Sequence, residues 1–260
     1  MGQDIWSPRQ YGVFGGHRNR PFRELLGRVG ARDPGVVFDL GCGTGELTAD
    51  LAGRWPGARV TGIDKSAAMI SAAQLHEASN LAFEIRDIAT WTPDVPPDVI
   101  VSNAALQWVP GHRELIPVWV SALAPGGWFG FQVPGNFEAP SHVLLRELCA
   151  SPRWKARLAG TNRFDTVGEP GDYLDLLAGL GCVADVWETT YQQVLSGQDA
   201  VLEWTKGTAL RPVLAALPDD AAEAEFLREY GELLDKAYPP RPYGTVFEFR
   251  RIFAIARRPS

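Results

Sequence analysis

The sequence predicts an α/β fold: a doubly wound, seven-stranded, mostly parallel sheet with helices on both faces and a helical cap inserted late in the chain. Three observations lead there. Between Val36 and Val133 short β-rich runs alternate with helical patterns, the rhythm of repeated strand-helix-strand units. The first of those strands runs straight into a glycine-rich turn, VFDLGCGTG at Val37 to Gly45, the kind of junction at which open parallel sheets gather ligands. Late in the chain, from Gln198 to Tyr238, helical spacing takes over before a last strand closes the sequence pattern.

The elements follow in order. A helix is expected over about Pro21–Val29, with proline at its start, where a missing N–H is tolerated. Strands are expected at Val36–Leu40, Val60–Asp64, Leu81–Asp87, Val99–Asn103 and Gly127–Val133. Helices near Gly45–Trp55, Ser66–Ser79 and His112–Leu123 lie between them, the last stopped by Pro125-Gly126-Gly127. Further on, helices are expected near Ser141–Leu158 and Asp172–Gly179, followed by a strand at Ala184–Leu195. In the inserted helical stretch Phe226, Leu227, Tyr230, Leu233, Leu234 and Ala237 share one face at 3.6-residue spacing. The turn YPPRPYG then leads into a final strand, Val246–Ala256. With no internal repeat and no linker composition, residues 1–260 read as one domain. Its core covers about residues 21–135 and the strands near 184–195 and 246–256, with a lid over 1–20 and cap elements at about 136–180 and 198–240.

Composition narrows the function. The 260 residues are 45% hydrophobic, enough for a substantial core, and the formal net charge of -6 with mixed signs argues against a general nucleic-acid or membrane-surface binder. No run approaches the roughly 18 uncharged apolar residues of a membrane span, and MGQDIWSPRQYGVF lacks the charged-then-apolar order of a secretion signal. A cytoplasmic location is the expectation. Cys42, Cys149 and Cys182 are odd in number and fit a reducing compartment. They and the scattered His17, His76, His112 and His142 have no metal-ligand spacing, so no metal is expected.

The glycine turn discriminates between cofactors. Dinucleotide sites use G-x-G-x-x-G, whereas Gly41, Gly43 and Gly45 bring the third glycine one residue early, and no lysine follows to make a triphosphate cradle. Asp39, just before the glycines, would repel a phosphate but can accept a hydrogen bond from an ammonium group. A cofactor with ribose, adenine and ammonium but no phosphate is S-adenosylmethionine. Asp64, followed by Lys65, ends the second strand about 20 residues beyond the loop, where a carboxylate accepts ribose hydroxyls. Asp87 and Ile88 follow the third strand, at the place for an adenine amino group and ring face, and Asn103 ends the fourth near the methionine end. Singly, each is also a common turn or helix-cap residue. Together they mark the carboxyl ends of successive strands. A nicotinamide oxidoreductase is disfavoured by the early third glycine and Asp39; a non-catalytic cofactor-binding domain stays open.

With VFDLGCGTG, TGID, RDI and SNAALQWVP, the chain resembles the class I S-adenosylmethionine-dependent methyltransferases, which implies a Rossmann-like sheet. WSPRQYGVF (Trp6–Phe14), HRNRPFREL (His17–Leu25), SNAALQWVPGH (Ser102–His112), PGNFEAPSH (Pro134–His142), GCVADVWETTY (Gly181–Tyr191) and FRRIFAIA (Phe249–Ala256) are similar to the trans-aconitate methyltransferase family across nearly the whole chain. The resemblance implies methyl transfer to one carboxylate of a small tricarboxylate, trans-aconitate, giving a monomethyl ester. An already ionised carboxylate needs no general base, so no catalytic residue is expected. Cations and donors must meet the acid's charges: Arg20, Arg146, Arg211 and Arg250 are candidate clamps, with the adjacent Arg251 pointing to the opposite face of its strand. Gln107, His142 and Tyr191 are candidate neutral donors, Trp108 a candidate wall, and Tyr11, with Trp6 and Phe14, a candidate lid over the cofactor. Another small carboxylate, a phenol or an amine remains open as acceptor.

Overall fold

The computed structural model describes residues 15–158, 161 and 167–260, the first four of these as backbone alone. The chain divides into two compact units. One comprises Met1–Pro134, Asp165–Thr189 and Arg251–Ser260, the other Gly135–Phe164 and Thr190–Arg250.

In chain order the elements are α1 (Gly15–Arg28), β1 (Val36–Leu40), α2 (Glu46–Arg54), β2 (Arg59–Asp64), α3 (Ala67–Ala73), β3 (Leu81–Ile85), β4 (Val99–Asn103), α4 (His112–Ala122) and β5 (Trp128–Pro134). They continue with α5 (Pro140–Ala150), α6 (Lys155–Leu158), α7 (Pro170–Gly179), β6 (Val183–Leu195), α8 (Ala200–Lys206), α9 (Arg211–Leu214), α10 (Asp220–Ala237) and β7 (Thr245–Arg257). The seven strands form one sheet in the order β3-β2-β1-β4-β5-β7-β6. Pairs among β1 to β5 are parallel, and β7 returns antiparallel to β5. This is the Rossmann-like arrangement the alternating pattern predicts.

The sheet forms where it does because its central strands, VVFDL, VIVSN and WFGFQVP, are buried on both faces and mostly apolar, with their polar residues confined to the carboxyl ends, as strands covered by helices on each side require. On one face Phe129, Phe131 and Val133 join Trp119 of α4 and Tyr173 of α7 in the main core, with Phe131 meeting Tyr173 edge-on at 4.9 Å. The other face carries Gly130, whose missing side chain leaves room for Leu25 and Val29 of the α1 segment and for Ile255 of β7. β1 enters the sheet under restraint: Asp98 Oδ2 accepts from Gly35 N at 2.7 Å and Val36 N at 2.9 Å, and Asp98 N donates to Val36 O at 2.9 Å.

The second unit has its own core, where Trp154, Trp204, Phe226, Tyr230 and Phe247 are fully buried. On α10 the buried positions Ala222, Phe226, Tyr230 and Leu234 recur every fourth residue, while Leu227 and Leu233 are half-buried flanks. Asp219 caps that helix by accepting from Ala222 N at 2.8 Å, and Tyr230 donates to Ser141 O of α5 at 2.8 Å.

Differences from the sequence expectations have local causes. The expected helix Ser141–Leu158 is broken into α5 and α6, because Pro152 has no N–H and holds Ser151 extended at ψ 154°. The expected helix to Ser79 ends at Ala73, with one 3₁₀ turn at Gln74–His76 that leaves Leu75 87% exposed. α1 begins ahead of Pro21 and carries it inside, losing one backbone bond there. β3 stops at Ile85, leaving Asp87 in the following turn. The inserted helical stretch is three helices: Gly207 ends α8, Pro212 sits in the first turn of α9, and Pro218 precedes the cap of α10.

Asp98 is the restraint most open to test. Asp98→Ala should leave two backbone N–H groups of the β1 entry without their carboxylate and cost about 1.5–3 kcal/mol, read as a lower urea midpoint at unchanged slope.

Candidate active site

The glycine turn is strapped to the end of β2. Gly41 N and Cys42 N both donate to Ile63 O, at 2.7 and 3.0 Å, and Gly43 N donates to Asp64 Oδ2 at 3.1 Å. The other oxygen of Asp64 accepts from Ser66 N at 2.9 Å, and Ser66 Oγ in turn accepts from Met69 N, starting α3. Gly41 at φ 81° lies so close to the loop after β4 that a methyl there would overlap the Ala105 side chain. Gly45, also at φ 81°, caps α2, and a Cβ on it would come within 2.8 Å of Phe83 and Ala73. The turn is therefore packed closely at Gly41 and Gly45, and the N–H groups of Gly41, Cys42 and Gly43 are all taken up by the end of β2.

Beneath it Asp39 is 2% exposed and accepts a hydrogen bond from Thr48 Oγ1 at 2.7 Å. Burial pushes its carboxyl up from 3.8 to about 7; the Thr48 bond opposes that and the nearby Asp64 adds to it. A buried carboxylate held this way is energetically poised for a cation. The Cys42 thiol is pushed up by burial and by Asp39 and Asp64, which keeps it protonated and unreactive.

Lys65 is exposed beside Asp64. Asp87 is exposed and accepts from Ala89 N at 2.9 Å, whereas Ile88 is 7% exposed and sits in the main core cluster. Asn103 closes β4; its Oδ1 is buried without a hydrogen-bond partner among the described residues. The next residue, Ala104, holds a left-handed φ of 53°, a strained turn of the sort found at functional sites. That turn points the chain into the 3₁₀ helix Leu106–Trp108, where Gln107 Nε2 donates to Ala104 O at 2.6 Å and Trp108 is half-buried. Tyr11, Trp6 and Phe14 lie outside the described residues, and Arg20 pairs with Glu24 on the exposed face of α1 at 3.2 Å.

The remaining acceptor candidates belong to the second unit. His142 is 7% exposed, with Nδ1 3.2 Å from Ser141 Oγ, and burial, then Arg146, push its pKa down to about 4. It is neutral at physiological pH. Arg146 donates to Phe137 O and to both oxygens of Glu138 at 3.1 Å. Tyr191 is buried at 4% exposure, Arg211 is half-buried at the start of α9, and Arg250 donates to Gly135 O at 3.2 Å. Arg251, on the opposite face of β7 as alternation requires, is 4% exposed and belongs to the first unit.

Three features escaped the sequence reading. Thr48 holds Asp39, nine positions away and one helical turn into α2. Glu46 stands in the first turn of α2, a negative charge where a pyrophosphate would have to sit. Gln132 is a single polar residue in the buried strand WFGFQVP and pairs with Arg251; a lone glutamine between Phe131 and Val133 was the available signal.

A mostly parallel sheet with this strand order and a phosphate-averse glycine turn defines a class I methyltransferase domain, and the methyltransferase domain family matches residues 37–127. The trans-aconitate 2-methyltransferase of Streptomyces avermitilis is 53% identical over 261 residues, covering 97% of this chain and 97% of that protein. That of Streptomyces coelicolor is 52% identical over 98% of this chain and 87% of its own. Among solved structures, the YcgJ protein of Bacillus subtilis is 14% identical with a TM-score of 0.58, covering 93% of this chain and 99% of that one. The chain belongs to the trans-aconitate 2-methyltransferase family, S-adenosylmethionine-dependent enzymes. No helix among the described residues is long and apolar enough to cross a membrane.

Asp39 yields a pH prediction. Its folded pKa of about 7 lies above the ordinary 3.8, so the folded state holds the proton more tightly, and stability present at acid pH is lost as the pH rises through that window. Thermal denaturation of the ligand-free protein should show this fall, and Asp39→Asn, which keeps an oxygen for Thr48, should flatten it.

Proposed function

We propose that this chain transfers the methyl group of S-adenosylmethionine to one carboxylate of trans-aconitate, giving a monomethyl ester. What supports this above all is the 53% identity, over 97% of both chains, to an enzyme of that name. The residues of the first unit fit the cofactor. The buried carboxyl group of Asp39 suits its cationic methionine end, the Oδ1 of Asn103, unpartnered among the described residues, suits its ammonium, and Glu46 at the start of α2 suits the absence of phosphate. Asp64, positioned by the backbone N–H groups of Gly43 and Ser66, is the proposed acceptor for the ribose hydroxyls, beside Lys65. Asp87 is the proposed partner of the adenine amino group, with Ile88 supporting the floor beneath it from the core.

When bound, S-adenosylmethionine supplies a methyl carbon made electrophilic by a sulfonium. The acceptor carboxylate, with a pKa of about 4, is ionised at neutral pH, so no side chain has to remove a proton. An oxygen of the acceptor carboxylate would take that methyl, with the electron pair of the C–S bond left on sulfur. The chain's work is alignment and exclusion of water. Gln107 and Trp108, fixed by the strained turn at Ala104, are proposed to flank the reacting carboxylate with a neutral donor and an apolar wall. Free thiols at Cys42, Cys149 and Cys182 fit a cytoplasmic enzyme.

Incubation with methyl-labelled S-adenosylmethionine and a panel of trans-aconitate, cis-aconitate, isocitrate, citrate and a simple phenol should place base-labile label in trans-aconitate. Label in the phenol alone, or in none of the acids, overturns the reading. Asp64→Ala should weaken S-adenosylmethionine by about 1.5–3 kcal/mol in calorimetry, and unchanged affinity would remove that residue from the cofactor site.

A further inference from the structure

Strand register places a row of polar groups on one face of the sheet in the first unit. Asp39 stands opposite Val101, Val101 opposite Gly130, Asn103 opposite Gln132, and Gln132 opposite Phe253. Paired residues share a face, so Asp39, Asn103, Gln132 and, two positions along β7 from Phe253, Arg251 project to the same side. It is the α1 side, since Gly130 on this face approaches Leu25 and Val29. The row lies at the carboxyl ends of β1, β4 and β5, where open parallel sheets bind ligands.

Gln132 is fully buried, and its Oε1 accepts from Arg251 Nη1 at 3.0 Å. A guanidinium has donors only, so this bond fixes which end of the amide is which: the oxygen faces Arg251 and the NH₂ turns away. Nε2 is buried with no partner among the described residues. On the adjacent strand Asn103 Oδ1 is likewise buried and unpartnered. A donor and an acceptor have thus been desolvated side by side without bonding each other, and the donor lies one amide's width from a buried positive charge.

We propose that the Gln132 amide, oriented by Arg251, is a carboxylate subsite, with Nε2 donating to a carboxylate oxygen that also lies in the field of the Arg251 guanidinium. This rests on the proposed reaction, in which two molecules bring carboxylates: the acceptor acid and the methionine end of the cofactor. Arg251 is a positioning residue for the amide as well as a source of charge. A neutral donor backed by a cation suits a carboxylate that must be held without being protonated.

The test reads binding, not turnover. Gln132→Met keeps the volume and removes the donor; Gln132→Glu keeps the oxygen for Arg251 and sets a like charge against the arriving carboxylate. Calorimetry gives the Kd of S-adenosylhomocysteine, then that of trans-aconitate for the binary complex, with melting curves certifying each fold. A loss of about ten- to hundred-fold for trans-aconitate at unchanged S-adenosylhomocysteine affinity assigns the subsite to the acceptor, and a larger loss is expected for Gln132→Glu. The same loss for S-adenosylhomocysteine alone assigns it to the methionine carboxylate. Wild-type affinity for both ligands in either folded variant overturns the proposal. Failure of the wild-type protein to bind trans-aconitate would strike the proposed reaction instead, while the S-adenosylhomocysteine arm still decides the subsite.

Discussion

A carboxyl group buried under a glycine turn is the constraint on which the first unit depends. Asp39 must sit at the end of β1 with almost no water, and the low dielectric around it raises the cost of its charge. Everything near it serves that placement. Thr48 of α2 reaches back to it, Gly41 has no side chain to wedge the turn away from Ala105, and Ile63 O with Asp64 pins the turn to β2. The helix that follows can then start only where Gly45 allows, with Phe83 and Ala73 packed beneath. The same burial would strengthen an interaction with an arriving cation, so on the proposed reading part of the cofactor's affinity is stored in this carboxyl group.

The chemistry proposed asks little of acid-base machinery and much of placement. The nucleophile arrives ionised, and the leaving sulfur needs no proton. His142, held neutral by burial, and the protonated Cys42 are consistent with side chains that pack and do not titrate. What must be tuned is how strongly each carboxylate is gripped: a direct ion pair lowers the nucleophilicity of an oxygen, whereas a neutral amide orients it at smaller cost.

Much of this was legible in the sequence, and what was not has physical reasons. Central strands such as VIVSN read clearly because burial on both faces makes them apolar runs up to their carboxyl ends. The positions of the glycine turn, Asp39, Asp64 and Asn103 at strand ends were legible because local pattern already marks those ends. Pro152 sits within an otherwise helical spacing, so periodicity alone does not show the break between α5 and α6. Asp98 and its bonds to Gly35 and Val36 span 63 and 62 positions, and Arg251 meets Gln132 across 119. Such pairs follow from strand order, which no local pattern carries. Alternation alone said that Arg250 and Arg251 diverge; only the register against β5 said that Arg251 turns inward beside Gln132.

The strand order also bears on how the chain can be made. β7 lies between β5 and β6, although it is the last strand in the sequence. During vectorial synthesis the ribosome delivers β6 first, and it has no neighbour in the sheet until residues near 245–257 emerge. Until then β5 presents an open edge whose side chains, WFGFQVP, are those of a sheet interior. The closing strand is therefore also the one that ends a sticky interval, and its late arrival makes the rate of its insertion a determinant of how much nascent chain escapes aggregation.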